Sequence, residues 1–353
     1  MKRAAAVACA ALLAAAARDA RASAFDLAGF GPAGVAEVGA RAARASDGTA
    51  TFYSPGGLAL GSGVSVEIAP TLAISALSAQ GALHPIDDPF GVALAFAATV
   101  PLGEPLKDRL RFGLGAYLLA PHLARVVVPE QSEPVFPYFE NRTQRLVVLP
   151  ALALKITRAL GIGGGVDVLG GVSGAASVTQ GESGAPEPRV DLAATTRIAA
   201  VAGARFDPSP EVHLAFTYRG HFFVPSNIQT STSVGGLPLA VTVDVGQSLF
   251  DPDAFVLGAS YGAGHVEAEI DATYSAWSMY HAPFVDVHAT LPAVDVSSVT
   301  PPDIAHDVVS VRGAASYRFD VRDHRLFLRG GLGFEPTMLR SFQQGETNLV
   351  DGD

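Results

Sequence analysis

The feature that most constrains the fold of this chain is a strict two-residue alternation in HVEAEIDATYSAW, residues 265–277. A period of two predicts a β-strand with one polar and one apolar face. The pattern alone leaves two environments open. In a soluble sandwich the apolar face meets a protein core, whereas in a transmembrane barrel it meets lipid and the charged face lines the lumen.

The same alternation recurs along the chain, in residues 65–72, 111–118, 189–206, 211–219, 310–319 and 325–334. Alternating segments of roughly ten residues separated by turns are typical of outer-membrane barrels. Short connections rich in turn formers occur at 158–161, 207–210, 262–264 and 320–324. Long connections occur at 121–145, 223–253 and 278–304. Bacterial barrels alternate in this way between short periplasmic turns and long exterior loops.

The N-terminus predicts export. Residues 1–24 combine Lys2 and Arg3 with the Ala/Leu-rich run 4–17 and the small residues 22–24, and we predict a signal peptide cleaved after residue 24. Beyond it the sequence has no run of about 18 or more apolar residues free of charge, which disfavours a membrane-spanning helix. The mature chain would carry a formal net charge of −13, which disfavours nucleic acid as a partner. The predicted location is the bacterial outer membrane.

Eleven strands are predicted, beginning near Gly63, Gly91, Leu110, Leu146, Gly161, Arg189, Glu211, Ala254, His265, Ala305 and Arg325. Residues 240–249 are either a further strand or part of an exterior hairpin. Single-chain bacterial barrels close with an even number of strands, and this chain stops at 350–353 without a final aromatic residue. We therefore expect that strands beyond the C-terminus are missing, and that residues 63–353 form an incomplete transmembrane antiparallel β-barrel.

Residues 25–62 precede the first predicted strand, show no alternation and are rich in Gly and Ala. Small side chains allow a backbone to pack closely. This composition and position predict a hatch folded into the lumen, with a short helix over residues 33–45.

Several motifs occur in order along nearly the whole mature chain: Gly34, Gly39, Asp47, Thr49, Phe52 and Ser54-Pro55-Gly56 in the hatch, then segments 136–145, 269–277 and 328–339. With them the chain resembles the FadL-type outer-membrane transporters of long-chain fatty acids and aromatic hydrocarbons. The resemblance implies a barrel of fourteen strands with a lumenal hatch. Ser54 and Gly56 depart from the Asn and Ala of that family, so the turn should depend on a weaker Ser contact.

The resemblance also implies a function. It is diffusion-driven uptake of small hydrophobic molecules by a monomer, with membrane lipid and the hydrophobic ligand as its partners. The ligand would be captured on exterior segments such as 121–145, the hatch would move around Ser54 and Pro55, and the ligand would leave through the wall or the lumen. Members of the family open laterally at a kink in an early strand, and here Gly113 and Gly115 in residues 111–120 mark that strand.

Two sets of residues are candidates for this function. The first is a hatch or gate set of Phe52, Tyr53, Ser54, Pro55 and Gly56, whose rings either contact the ligand or wedge the hatch against the wall. The second is a set of charges on the polar faces of strands: Glu67, Arg111, Arg197, Arg205, Arg219, Glu267, Glu269 and Asp271. These charges either neutralise one another while anchoring the hatch, or include an arginine that binds a substrate carboxylate.

Other functional classes remain alternatives. A general aqueous porin would explain a charged lumen without a hydrophobic ligand. A barrel scaffold of a protein-secretion or surface-attachment system would explain the altered hatch motif. The sequence contains no His-Glu-x-x-His motif, and we predict no enzyme and expect neither a cofactor nor a metal site.

Overall fold

The computed structural model describes residues 29–72, 76–79, 82–85, 90–119, 146–180, 186–234, 237–280, 285–291, 294–296, 304–322 and 324–340. Three short helices come first: α1 (Gly31–Ala36), α2 (Ala50–Tyr53) and α3 (Pro55–Leu58). The strands are β1 (Ser65–Leu72), β2 (Ala76–Ala79), β3 (Ala82–Pro85), β4 (Phe90–Thr99), β5 (Leu110–Leu119), β6 (Val147–Lys155), β7 (Leu160–Gln180), β8 (Pro186–Phe206), β9 (Val212–Arg219), β10 (Phe222–Val234), β11 (Leu237–Asp251), β12 (Ala254–Ala263), β13 (Val266–Ser275), β14 (Val285–Leu291), β15 (Val294–Val296), β16 (Val308–Val321) and β17 (His324–Phe334). A 3₁₀ turn, Trp277–Met279, follows β13.

The main sheet has eleven antiparallel strands in the order β1-β4-β5-β6-β7-β8-β9-β12-β13-β16-β17. Each begins within three residues of its predicted start, which confirms the prediction of a mostly β chain built on a large antiparallel sheet. Residues 240–249 lie in β11, which pairs with β10 as a hairpin. This hairpin belongs to a separate four-stranded sheet, β10-β11-β14-β15, so two of the segments expected to be long loops contain strands.

The two faces of the main sheet have inverted polarity relative to a soluble protein. On β13 the charged Glu269 and Asp271 are each 4% exposed, whereas Ile270 between them is 56% exposed. On β12, Ser260 is 5% exposed and its neighbour Tyr261 58%. A soluble sandwich buries its apolar face, so this exposure pattern favours a lipid-facing exterior.

Residues 29–64, here called the N-terminal segment, lie against the polar face of the main sheet. They contact both edge strands: Arg329 of β17 lies 3.3 Å from Glu37, and Glu67 of β1 lies beside Gly31. They also contact strands in the middle of the sheet, where Thr217 of β9 donates a hydrogen bond to the Tyr53 carbonyl. The sheet therefore curves around the segment.

Helix α1 is shorter than the helix predicted over residues 33–45. It begins with Pro32 in its first turn and ends at Ala36. Val38 and Gly39 then adopt left-handed backbone angles, with φ of 52° and 79°. The Glu37 backbone packs directly on Gly331 of β17, so a tertiary contact overrides the helical propensity of the Ala-rich sequence.

The connections between strands of the main sheet alternate between its two ends. Residues 100–109, 156–159, 207–211, 264–265 and 322–323 join the strands at one end, called the short-turn end. The opposite end is called the long-connection end, because it has the longest connections, such as 220–253 and 276–307, although residues 181–185 also join β7 to β8 there. Residues 121–145, expected to capture a ligand, lie outside the described residues. In the part of the chain that the structure describes, no helix has the length and apolar character to cross a membrane.

Candidate functional site

A cavity lies between the N-terminal segment and the strands on the side of the long-connection end. It contains ≈ 1240 Å³ of empty space, including the part that opens to solvent. Apolar side chains from four strands of the main sheet, among them Leu149, Leu169 and Val256, line its wall. A concave space bordered by apolar side chains and a few polar groups is typical of small-molecule sites.

Aromatic rings of the N-terminal segment form the floor of this cavity. The rings of Phe30 and Phe52 stack with centroids 5.4 Å apart, and Tyr53 meets Phe52 edge-on at 5.0 Å. The Tyr53 hydroxyl accepts a hydrogen bond from the Phe30 N–H (2.7 Å) and donates one to the Phe30 carbonyl (3.0 Å). Burial raises the pKa of the Tyr53 phenol above its usual range, so the group keeps the proton that it donates. The floor is therefore a fixed aromatic surface.

Two arginine–carboxylate pairs border the same cavity. Arg219 Nη1 lies 3.2 Å from Asp167 Oδ2, and the Arg219 guanidinium lies over the Phe52 ring, 4.4 Å from its centroid. Arg312 Nη2 lies 3.1 Å from Glu335 Oε2. Asp271 also lines the cavity, where its Oδ2 accepts a hydrogen bond from the Ala42 N–H at 3.0 Å.

The predicted gate turn, Ser54 to Gly56, is buried against β7 and β8. Gly163 of β7 faces the Pro55 carbonyl so closely that a methyl group on Gly163 would overlap it. A methyl group on Gly56 would lie 2.7 Å from the Ala204 Cα. The expected hydrogen bond from the Ser54 side chain is not observed, because Ser54 Oγ is buried with no partner among the described residues. Close backbone packing therefore positions this turn.

An ion-pair cluster joins the N-terminal segment to β13. We call Glu37, Arg41, Arg44, Glu267 and Glu269 the anchor cluster. Arg44 Nε donates to Glu269 Oε2 at 2.6 Å, and Arg44 Nη2 lies 3.1 Å from Glu37 Oε2. Arg41 Nη1 donates to the same Glu37 oxygen at 2.8 Å, and the carboxylates of Glu37 and Glu269 are fully buried.

A second contact near the short-turn end involves Arg205 of β8. Its Nη1 donates to the carbonyl oxygens of Arg44 and Ala45, at 3.3 and 3.4 Å. Its Nε donates to Asp207 Oδ1 at 2.8 Å. Burial alone would raise the pKa of Asp207, but the hydrogen bonds from His213 and Arg205 outweigh it, so the Asp207 pKa lies below its ordinary value.

Six of the eight predicted charges contact the N-terminal segment: Glu67, Arg205, Arg219, Glu267, Glu269 and Asp271. Arg111 is 2% exposed and donates to Thr99 on the neighbouring strand at 3.3 Å, whereas Arg197 is exposed. The sequence interpretation did not include Glu37, Arg44 or Asp167. Gly161, Gly163, Gly165 and Asp167 are every second residue of one strand. This period of two would have placed Asp167 on the polar face.

The hydrogen-bonded ladder of the main sheet is interrupted beside the cavity. Strands β6 and β7 pair at Val148 with Val168 and again at Ala151 with Gly165, but not at the two residues between. Pro150 lies in this gap and has no N–H to donate. Strand β5, where the resemblance placed a kink, instead pairs continuously with β6 from Leu110 to Tyr117.

No protein-family model matches the sequence of this chain, and no curated protein sequence matches it. Solved structures with a similar fold do match it. Among solved structures, the toluene transporter TbuX of Ralstonia pickettii matches with a TM-score of 0.51 at 18% identity, covering 89% of each chain. A Pseudomonas aeruginosa FadL homologue gives 0.53 at 13% identity over 90% of this chain and 82% of its own. The toluene transporter TodX of P. putida gives 0.54 at 14% identity over 87% and 84%. The chain has the FadL-type fold.

The aromatic cavity and the anchor cluster lie on opposite sides of the same N-terminal segment, inside the curve of one sheet. The three solved structures named above are described as toluene transporters and as a FadL homologue. Among the described residues, no group of three His, Cys, Asp or Glu side chains is placed to hold a metal ion.

Proposed function

We propose that this protein is an outer-membrane channel for the diffusion-driven uptake of small hydrophobic molecules, aromatic hydrocarbons above all. The observation that carries the proposal is the cavity floored by Phe30, Phe52 and Tyr53, on the polar side of a sheet whose other face exposes Ile, Leu and aromatic side chains. Offset and edge-on contacts with such rings favour an aromatic ligand. TbuX and TodX, described as toluene transporters, share the fold.

In this proposal the N-terminal segment is the hatch. Its rings hold the ligand, its backbone closes the path toward the short-turn end, and the anchor cluster keeps it against β13. Passage requires either that the segment moves or that the ligand leaves sideways. The interrupted ladder at Pro150 favours a sideways exit, because it borders the cavity at Leu149 and Asp167 and fewer hydrogen bonds have to break there.

The test is ligand retention by the full chain, purified in mild detergent and equilibrated with radiolabelled toluene against empty micelles. Organic extraction and mass spectrometry then identify any molecule carried through purification. We expect saturable toluene binding and a co-purifying apolar molecule. Val256→Trp, which projects an indole ring into the cavity, should weaken the saturable binding.

The matched control is Leu257→Trp, at the next residue of the same strand. Leu257 is 61% exposed on the outer face, so its replacement should leave toluene binding unchanged. Absence of saturable binding in the parent protein, combined with steady ion conductance in planar bilayers, would contradict the proposal and favour an aqueous porin.

A further inference from the structure

Two cations face each other on neighbouring strands at the short-turn end of the main sheet. The ladder between β5 and β6 pairs Leu110 with Leu154. Its next position brings Lys155 opposite Arg109, where the Lys155 N–H donates to the Arg109 carbonyl at 2.9 Å. Residues directly opposite each other in an antiparallel pair have Cβ atoms about 5 Å apart, and like charges there are destabilising. This position of the sheet therefore carries a repulsion between two side chains.

No carboxylate of the described residues compensates for this repulsion. Arg109 is exposed and Lys155 is half-buried, and neither side chain forms an ion pair or a hydrogen bond within the described part of the chain. Glu104 and Asp108 belong to the same connection as Arg109, but both are exposed and neither is paired with a described cation. The charge of the two cations is thus available to an anion from solution.

A third cation lies on the same face of the sheet. Arg111 follows Arg109 by two residues and is 2% exposed. Its Nη1 donates to Thr99 Oγ1 at 3.3 Å, whereas Nε and Nη2 have no partner among the residues that the structure describes. A buried guanidinium group with one long hydrogen bond is unfavourable. An anion held by Arg109 and Lys155 would reduce this cost through its charge, without contacting the buried nitrogens.

Phosphate is the common anion that best matches three cations. A phosphate monoester carries between about one and a half and two negative charges at neutral pH, and its oxygens accept from arginine and lysine alike. We propose that Arg109 and Lys155 bind the phosphate group of a small soluble molecule, while Arg111 supports the site by its charge alone. This site is separate from the aromatic cavity, which lies toward the other end of the sheet.

The face on which the pair lies favours a soluble ligand over a membrane lipid. Lys155 follows Ala153 by two residues, and Ala153 is 1% exposed on the inner face of the curved sheet. The outer face of the same strand carries Leu152, which is 51% exposed. A lipid headgroup would approach the outer face, whereas a soluble phosphate can enter from the short-turn end.

The test is equilibrium dialysis of radiolabelled inorganic phosphate against the full chain in an uncharged detergent at neutral pH. All measurements share one ionic strength, set with potassium chloride, so that screening of the charges is the same throughout. We expect saturable binding of one phosphate per chain, and we expect glycerol phosphate to displace it.

Three variants assign the binding to the pair. Arg109→Gln and Lys155→Gln should each weaken phosphate binding at least about tenfold, because each removes one of the two contacting cations. Lys155→Glu places a carboxylate opposite Arg109 and should abolish phosphate binding. Its melting temperature in phosphate-free buffer should equal or exceed that of the parent, since an attraction replaces a repulsion, and this measurement also shows that the variant folds.

The matched control is Arg325→Gln. Arg325 is an exposed cation at the same end of the sheet, but the residue opposite it is Asp320 and not a second cation. Its replacement should change phosphate affinity by less than about twofold, because a compensated exposed charge contributes little.

Absence of saturable phosphate binding to the parent protein, or unchanged binding by Lys155→Glu, would overturn the proposal. The source of the phosphate group is tested by adding phosphatidylglycerol to the micelles. Displacement of phosphate by this lipid but not by glycerol phosphate would assign the site to a lipid headgroup and overturn the soluble ligand.

Discussion

At the scale of single residues, Arg44 is the side chain on which the position of the N-terminal segment most depends. It contacts Glu37, Glu269 and Ser316, and it is 225 residues away in sequence from Glu269. Removal of one partner of a buried pair leaves a charge without compensation, which usually costs more than the pair contributes. After its loss, Glu37 keeps Arg41 and Arg329, whereas Glu269 keeps the Ala43 N–H, which donates to its Oε1 at 2.6 Å, but loses its paired arginine.

We therefore expect Arg44→Gln to lower the free energy of unfolding by about 3–5 kcal/mol. Urea unfolding of the folded protein in lipid vesicles, followed on heat-modifiable gels, measures the change. Arg325→Gln, at an exposed position of β17, is the matched control and should shift the midpoint little. Equal effects of the two substitutions would show that Arg44 does not anchor the segment.

Asp207, in the connection between β8 and β9, makes a pH-dependent contribution to stability. Its folded-state pKa is lowered, so the contribution is fully present above the unfolded value of about 3.9 and is lost as the pH falls through the folded value. Asp207→Asn removes it. The difference in melting temperature between the parent protein and Asp207→Asn should therefore shrink as the pH is lowered from about 5 to about 2. A difference in melting temperature that stays constant over this pH range would show that Asp207 does not make this pH-dependent contribution to stability.

At the scale of elements, the main sheet was predictable and the smaller sheet was not. Alternation is a local signal, so the start of each strand of the main sheet could be located to within three residues. Strand β10 has no regular apolar face: Pro225 and a Ser/Thr-rich run interrupt the pattern, and its register with β11 shifts between Val224 and Ser226. Pairing of that kind is decided by tertiary contacts, which sequence periodicity does not report.

The candidate site was predictable only in part, for a related reason. Alternation indicates which face of a strand carries Arg219 or Asp271, but not which strands meet opposite each other or at what stagger. The pair of Arg219 with Asp167 joins β9 to β7 across β8, and it depends on how far these strands are shifted along one another. The non-periodic N-terminal segment carried no signal for Arg44 at all.

Two adjacent glycines of strand β7 differ in their surroundings, and this difference allows a test of the gate turn. A methyl group on Gly163 would overlap the Pro55 carbonyl, whereas one on Gly164 would meet its nearest atom, the Val201 carbonyl oxygen, at 3.5 Å. We expect Gly163→Ala to displace the gate turn and Gly164→Ala to leave it in place. Single-channel conductance in planar bilayers should then rise for the first variant only. Identical conductance of both variants would argue against this turn as the gate.

At the scale of the whole molecule, the polarity of the surfaces restricts the routes by which an apolar ligand can leave. The N-terminal segment and its ion pairs separate the cavity from the short-turn end, so an axial route requires these buried contacts to break. The outer face is apolar, and the β6–β7 ladder is interrupted where it borders the cavity. A route through the wall keeps an aromatic molecule in apolar surroundings throughout.

This route predicts the effect of Pro150→Val. The Pro150 carbonyl oxygen points toward Gly165 of β7, and in a regular strand the N–H of a residue points the same way as its carbonyl. A residue with an N–H at position 150 should therefore complete the β6–β7 ladder and close the gap. We expect the rate of toluene uptake into lipid vesicles to fall several-fold, while equilibrium binding in detergent changes little.

Leu152→Val provides the matched control, since Leu152 is an outward residue of the same strand where the ladder is intact, and uptake should match that of the parent. Amide hydrogen exchange establishes whether the new N–H at position 150 is protected. If it is protected and uptake is unchanged, the ligand does not leave between β6 and β7. That outcome would instead favour release of the ligand by movement of the N-terminal segment. Gly163→Ala and Arg44→Gln, which both loosen this segment, should then accelerate uptake.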